Sequence, residues 1–274
     1  MNFCTKVYKK FVGAVTNLRY LCLTNFVKMN NTYTENRIVS CYEANANHLL
    51  RPAAMLDIMQ EAAGRDAETL GFGYDKMISG NTAWVLSRVK LIFHQYPKWR
   101  DNVVFKTWHK GANRIFYLRD FLMEDPQGNR LISATTSWLI IDLASRRMVR
   151  DRELAENFDN SKAGFAIEEQ AEKVTMPKDI EPELAGTHKV VWSDIDTNGH
   201  VNNVKYVVWA LDMLDYDLVS KNPIKELLVN FDSEVLPGQS VDLYKVEETV
   251  DGSTVCYIQG KVEGKPSFSV KINF

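Results

Sequence analysis

Residues 192–203 read Trp192-Ser193-Asp194-Ile195-Asp196-Thr197-Asn198-Gly199-His200-Val201-Asn202-Asn203. Asp196, Asn198 and His200 stand at every second position, so an extended backbone would send a carboxylate, a carboxamide and an imidazole off one face. Such a trio can orient, donate and exchange a proton. From Val204 the period changes. Val204, Val207, Val208, Leu211, Leu214 and Leu218 recur at three- and four-residue steps, the spacing of an amphipathic helix. Asn202 or Asn203 is its expected cap. The trio then lies beside helix N–H groups and the positive end of the macrodipole, where a developing oxyanion is stabilised. Asp194-x-Asp196-x-Asn198-Gly199 also opens like a calcium-binding EF-hand loop. Its twelfth position, which needs a bidentate Glu, is Lys205, and calcium is rejected on that ground.

Outward from this stretch the chain repeats itself. Glu43-x-Asn45-x-Asn47 lines up with Asp196-x-Asn198-x-His200, Met55 then meets Val208, and Ile58 meets Leu211. Leu91-Ile92-Phe93 loosely resembles Val229-Asn230-Phe231. The first copy reads as a strand over residues 38–44, a helix over 53–70 stopped by Gly71, and strands over 82–94, 102–110, 114–124 and 130–142. The second reads as a strand over 188–192, the helix after Asn202, and strands over 225–231, 240–250, 253–263 and 266–274. A helix packed on an antiparallel sheet, twice, is an α+β architecture. The copies differ in chemistry: Asn47 stands where the second has His200, and Tyr96 roughly where the second has Glu234. Only the second copy therefore holds groups that exchange protons near neutral pH. Chemistry is expected there, and binding in the first copy.

Composition narrows the class. The 274 residues are 45% apolar and 25% charged, as in soluble globular proteins, and a formal net charge of −2 gives no electrostatic case for nucleic acid. Cys4, Cys22, Cys41 and Cys256 are scattered without CxxC or metal-ligand spacing, and the five histidines include no pair at zinc-ligand spacing. Neither a metal nor another cofactor is expected, and a reducing cytoplasm fits. No apolar run approaches the ~20 residues of a membrane span. Residues 1–28 are basic, lack a convincing signal-peptide pattern, and are expected to be a peripheral extension before Met29.

The stretch from Trp192 through Val204-Lys205-Tyr206 closely resembles the signature of the acyl-ACP thioesterase family of plants and bacteria. The resemblance extends to residues 37–64 and to Phe231-Asp232-Ser233-Glu234, and so covers nearly everything after Met29. It implies a tandem (double) hotdog, each half a long helix wrapped by an antiparallel sheet. The layout becomes an N-terminal hotdog over 29–142 that binds the acyl chain, a linker over 143–186, and a catalytic C-terminal hotdog over 187–274. It also implies hydrolysis of fatty acyl thioesters on acyl carrier protein, a partner carrying the chain on phosphopantetheine, and leaves room for a homodimer.

The active-site positions carried over are Asp196, Asn198, His200 and Glu234. Plant members often have a Cys after the Glu; here it is Val235, so a thiol nucleophile is excluded. Water activation remains, with Glu234 as the expected general base over His200 or Asp196. Met55, Met59 and Trp84 are candidate linings of the acyl slot, Met being adaptable to flexible ligands. Arg146, Arg147, Arg150 and Arg152 form the densest basic cluster, read as a solvated linker before a docking patch for an acidic carrier. Rival readings are an acyl-CoA thioesterase, a non-catalytic acyl-binding hotdog, and a hotdog dehydratase, whose His/acid arrangement does not match.

Overall fold

The computed structural model describes residues 32–151, 154–155 and 164–274. The extension expected over residues 1–28 lies outside them, as does Arg152.

Among the described residues, eleven strands form one antiparallel sheet. They are β1 (Tyr33–Ile38), β2 (Thr82–Phe93), β3 (Asn102–Asn113), β4 (Phe116–Glu124), β5 (Arg130–Asp142), β6 (Met148–Val149), β7 (Glu183–Lys189), β8 (Glu226–Phe231), β9 (Ser240–Val250), β10 (Ser253–Val262) and β11 (Lys265–Asn273). The order β1-β3-β4-β5-β2-β8-β11-β10-β9-β7 is a palindrome of two equivalent five-strand sheets, joined where β2 meets β8; β6 pairs only with β5. Across that junction Lys90 pairs with Leu228 at the centre of the register. Matching Leu91-Ile92-Phe93 to Val229-Asn230-Phe231 makes Lys90 and Leu228 equivalent, so the duplication axis passes through that pair. The fold is a double hotdog.

Helices α1 (Pro52–Thr69) and α3 (Asn203–Asp212) pack together against one face of the sheet, and α2 (Tyr74–Ser79) and α4 (Tyr216–Lys221) follow them. The last residues of β2 show why that face is buried: Val89, Leu91 and Phe93 are buried and alternate with less buried Arg88, Lys90 and Ile92. Each fully buried side chain of this kind stabilises the fold by about 1.5–3 kcal/mol. Gly71, with φ +82°, ends α1 in a left-handed turn in which Phe72 N–H reaches back to Ala67 O.

Residues 164–174 run over the opposite face. Trp108 Nε1 donates to Gly164 O at 3.1 Å, Ala166 N–H to Asp120 Oδ2 at 2.8 Å, and Val174 N–H to Asn230 Oδ1. The carboxyl of Asp120, buried beneath this strap, is pushed up by desolvation, with Lys110 Nζ 3.4 Å away working against the shift.

Two boundaries differ from the sequence reading in the same way. The strands before both polar motifs end early, at Ile38 and Lys189, and a 3-10 turn follows each, over Cys41–Glu43 and Trp192–Asp194. The cause is a carboxylate folding back on the backbone: Glu43 Oε2 accepts from Ser40 N–H at 2.7 Å, and Asp194 Oδ2 from Val191 N–H at 3.0 Å. The apolar period after Asn202 is also not one helix. Asp215 caps α4 through the N–H groups of Asp217 and Leu218, so Leu214 and Leu218 fall on either side of a break.

Candidate active site

The central motif is a tight loop, not the extended segment its alternation suggests. Ile195 and Val201 form an isolated antiparallel bridge, Asp196 N–H donates to His200 O at 2.9 Å, and Gly199 N–H donates to Asp196 O at 3.1 Å. This is a three-residue hairpin loop, which needs a left-handed residue in its third place; Gly199 supplies it with φ +79°. Asp196 Oδ1 accepts from Asn198 N–H at 2.8 Å, bracing the turn from within. Asn202, rather than Asn203, caps α3: its Oδ1 accepts from Val204 N–H at 2.9 Å.

Glu234 arrives on the loop between β8 and β9. Val201 N–H donates to Val235 O at 3.0 Å, and Val235 N–H donates to the Tyr206 hydroxyl at 3.2 Å. These bonds dock the two loops and leave the Val235 side chain fully buried. Burial raises the Tyr206 hydroxyl above its ordinary range, so it stays protonated. His200 Nε2 then lies 3.5 Å from Glu234 Oε2, and Arg146 is paired with Glu234 Oε1.

Asp196, Asn198, His200 and Glu234 all line one cavity of about 1150 Å³. Its first-half wall is largely aromatic and apolar, with Phe72, Met77, Trp84, Tyr117 and Trp138. Trp84 is held there by its Nε1 donating to Phe72 O at 3.1 Å and by edge-on contact with Tyr117 at 5.1 Å between ring centres. Met55 and Met59 are placed elsewhere. They are 0% and 2% exposed, belong to the main core, and do not line the cavity. α1 lines the cavity with Gln60, Glu61, Ala63, Gly64, Arg65, Ala67 and Glu68, and the small Ala63, Gly64 and Ala67 among them leave space open.

Sequence reading missed a polar group on the same wall. Buried Arg119 donates from Nη1 to Asp66 Oδ2 at 2.7 Å and to Thr107 Oγ1 at 3.0 Å, and its Nη2 meets His109 Nε2. Desolvation, then the neighbouring guanidinium, hold the His109 imidazole well below its usual range, so it is neutral. Asp66 on α1 and Arg119 on β4 were visible only as a charge on each element, with nothing to join them.

The two copies superpose bond by bond, but in a register two residues away from the sequence alignment. Ala44 bridges Leu50 as Ile195 bridges Val201; Asn45 N–H meets Leu49 O as Asp196 N–H meets His200 O. Asn45 is therefore the counterpart of Asp196, Asn47 of Asn198, and Leu49 of His200. Polar residues recurring every second position allow a slip of two with polar still on polar. Tyr96 is the counterpart of Glu234, because Leu50 N–H binds Pro97 O as Val201 N–H binds Val235 O.

Asn45, Asn47, Leu49 and Tyr96 line a smaller pocket of about 300 Å³. Its size follows from helix length. The first-half helix has 18 residues and the second only 10. The short helix brings α4 close, and Asn47 Nδ2 donates to Ser220 O at 2.6 Å across the opening.

The fold is thus a double hotdog whose Asp196–His200 loop shares one cavity with an aromatic wall from the first half. Residues 30–156 match the family described as acyl-ACP thioesterase N-terminal domain, and residues 178–274 match its C-terminal domain. The chain belongs to the acyl-ACP thioesterase family. It is similar to the chloroplastic oleoyl-acyl carrier protein thioesterase 2 of Arabidopsis thaliana, with 27% identity over 234 residues. That match takes in 80% of this chain and 64% of the relative, so the chain spans under two thirds of the relative's length. Among solved structures, the 12:0-ACP thioesterase of Umbellularia californica superposes with a TM-score of 0.78 at 20% identity, covering 90% of this chain and 95% of that one. An acyl-ACP thioesterase from Bacteroides thetaiotaomicron gives 0.73 at 21%, covering 90% and 99%.

Proposed function

We propose that this protein hydrolyses the thioester of fatty acyl–acyl carrier protein, releasing free fatty acid and the carrier thiol. The observation that carries the reading is the placement of Asp196, Asn198, His200 and Glu234 on the wall of a cavity of about 1150 Å³ that Phe72, Trp84, Tyr117 and Trp138 also line. Such a volume lies just above the range of about 300–1,000 Å³ usual for small-molecule pockets and suits a long hydrocarbon. Family membership and the carrier named for the relatives support acyl carrier protein over coenzyme A.

In the mechanism, Glu234 takes a proton from a water in the cavity, with His200, 3.5 Å from its Oε2, as partner and shuttle. The water oxygen bonds to the thioester carbonyl carbon, and the resulting oxyanion is held by dipoles fixed in advance. At the start of α3 the Val204 and Lys205 N–H groups are already engaged by Asn202. The oxyanion donors are assigned to the Asn198 carboxamide and the Asn203 N–H, both on residues that line the cavity. Collapse breaks the C–S bond, and the proton returns from the Glu234–His200 pair to the departing thiolate. Asp196 keeps the loop in shape, its carboxylate bound to Asn198 N–H. Cleavage of palmitoyl and oleoyl thioesters on acyl carrier protein and on coenzyme A, compared by kcat/KM, tests the carrier. Preference for the carrier protein is expected; equal or better use of coenzyme A moves the reading to an acyl-CoA thioesterase.

A further inference from the structure

From the contact between the linker turn and the site, we infer that Arg146 is a positioning residue for Glu234. The inference rests on the functional reading above, and concerns how one carboxylate is aimed.

Arg146 lies in the turn that follows β5, yet its guanidinium Nη2 pairs with Glu234 Oε1 and it lines the cavity with Asp196, Asn198 and His200. Occupying Oε1 leaves Oε2 as the oxygen facing His200 Nε2. A carboxylate on an exposed loop otherwise samples several rotamers; one held by a guanidinium presents a fixed edge. The side chains are 52% and 37% exposed, so the pair adds little to stability. Its consequence is orientation.

The turn that delivers Arg146 is itself built. Asp142 Oδ1 accepts from Ser145 N–H and Oγ, both at 2.7 Å, and Asp142 Oδ2 accepts from Asn81 Nδ2 at 2.9 Å. Arg146 N–H donates to Asp142 O at 2.8 Å, and Asp142 N–H to Arg147 O at 2.9 Å. Arg146 sits in this turn at φ +57°, a region where glycine or asparagine is the easier choice. Of the basic cluster singled out in the sequence, Arg146 lines the cavity while Arg147 and Arg150 do not.

The left-handed position also supplies a clean test. Arg146→Asn and Arg146→Gly delete the guanidinium and suit the turn, so folding is preserved. With palmitoyl–acyl carrier protein as substrate, either variant should lower kcat about 10- to 100-fold with KM changed less than about threefold, the scale of a misplaced catalytic group. Arg146→Lys should restore part of the loss, and Arg146→Asn should cost nothing further in a Glu234→Gln background. Wild-type kcat in Arg146→Asn, a loss confined to KM, or full additivity with Glu234→Gln would each overturn the proposal. If Glu234→Gln alone keeps wild-type turnover, the reading of Glu234 fails and the positioning role falls with it.

Discussion

His200 Nε2 stands 3.5 Å from Glu234 Oε2, across two loops docked by the backbone bond from Val201 N–H to Val235 O. The imidazole stands just before α3 and the carboxylate just after β8, and they meet because that bond docks their loops. Their first-copy counterparts, Leu49 and Tyr96, cannot exchange a proton near neutral pH. Tyr96 is half-buried, its hydroxyl pushed above its ordinary range by desolvation, and it donates to Ile224 O at 2.9 Å.

The pair makes a first prediction about roles. His200→Ala and Glu234→Gln should both lower kcat by about 100-fold or more, the usual contribution of a positioned acid or base. Steady-state thiol release measures it. Wild-type kcat in Glu234→Gln together with an inactive His200→Ala would transfer the base to His200.

Trp84 and Met59 separate cavity from core. Trp84→Ala removes a ring from the chamber wall and should shift product length toward longer or bulkier acyl chains. Met59→Ala, in the core, should lower stability by about 2–5 kcal/mol and leave the product profile unchanged. Mass spectrometry of released fatty acids, paired with chemical denaturation, decides. A Met59→Ala profile that moves as far as that of Trp84→Ala would put Met59 on the acyl path.

The buried Arg119–Asp66 pair sets a stability prediction. Arg119→Met leaves the Asp66 carboxyl, already raised by desolvation, without its cation, and should cost about 3–5 kcal/mol. The double variant Arg119→Met, Asp66→Leu should recover most of that loss. A double variant as unstable as the single one would mean that the site cannot repack without charge.

His109 predicts a pH dependence. Its imidazole is held well below the ordinary value of 6.5 in the folded protein. The unfolded chain therefore binds a proton that the folded chain refuses, and this contribution to stability is lost as pH falls below about 6.5, by about 1.4 kcal/mol per unit. Asp66 works in the opposite sense: its raised carboxyl makes a contribution that is lost as pH rises above the ordinary carboxylate range. Urea unfolding between pH 7.5 and 5 should show a steeper acid-side loss for the wild type than for His109→Gln. Parallel slopes would contradict it.

The sequence carried the architecture because the cues that build it are local. Apolar alternation marks β2, β5 and β9 to within a residue or two, and Gly71 marks the end of α1. The four polar site positions share a cavity because they belong to two loops with recognisable residues. What stayed hidden depends on what lies opposite an element. Helical period puts Met55, Met59 and Ala63 on one apolar side of α1, but only the fold shows that Met55 and Met59 stay in the core while Ala63 and Gly64 line a chamber. The register of the repeat slipped because alternation by two looks the same after a shift of two. The helix-length difference that opens one site and shuts its twin was masked by an apolar spacing running through Leu214 to Leu218.

The most direct measurement is thiol and fatty acid release from palmitoyl–acyl carrier protein by purified wild type and Glu234→Gln, with binding of the acylated carrier followed in parallel. Stoichiometric thiol and free acid from the wild type, with a loss of about 100-fold or more in the variant at undiminished binding, is the predicted result. Binding without thiol release by the wild type, or equal turnover by the two proteins, would contradict a hydrolytic site built on the His200–Glu234 pair.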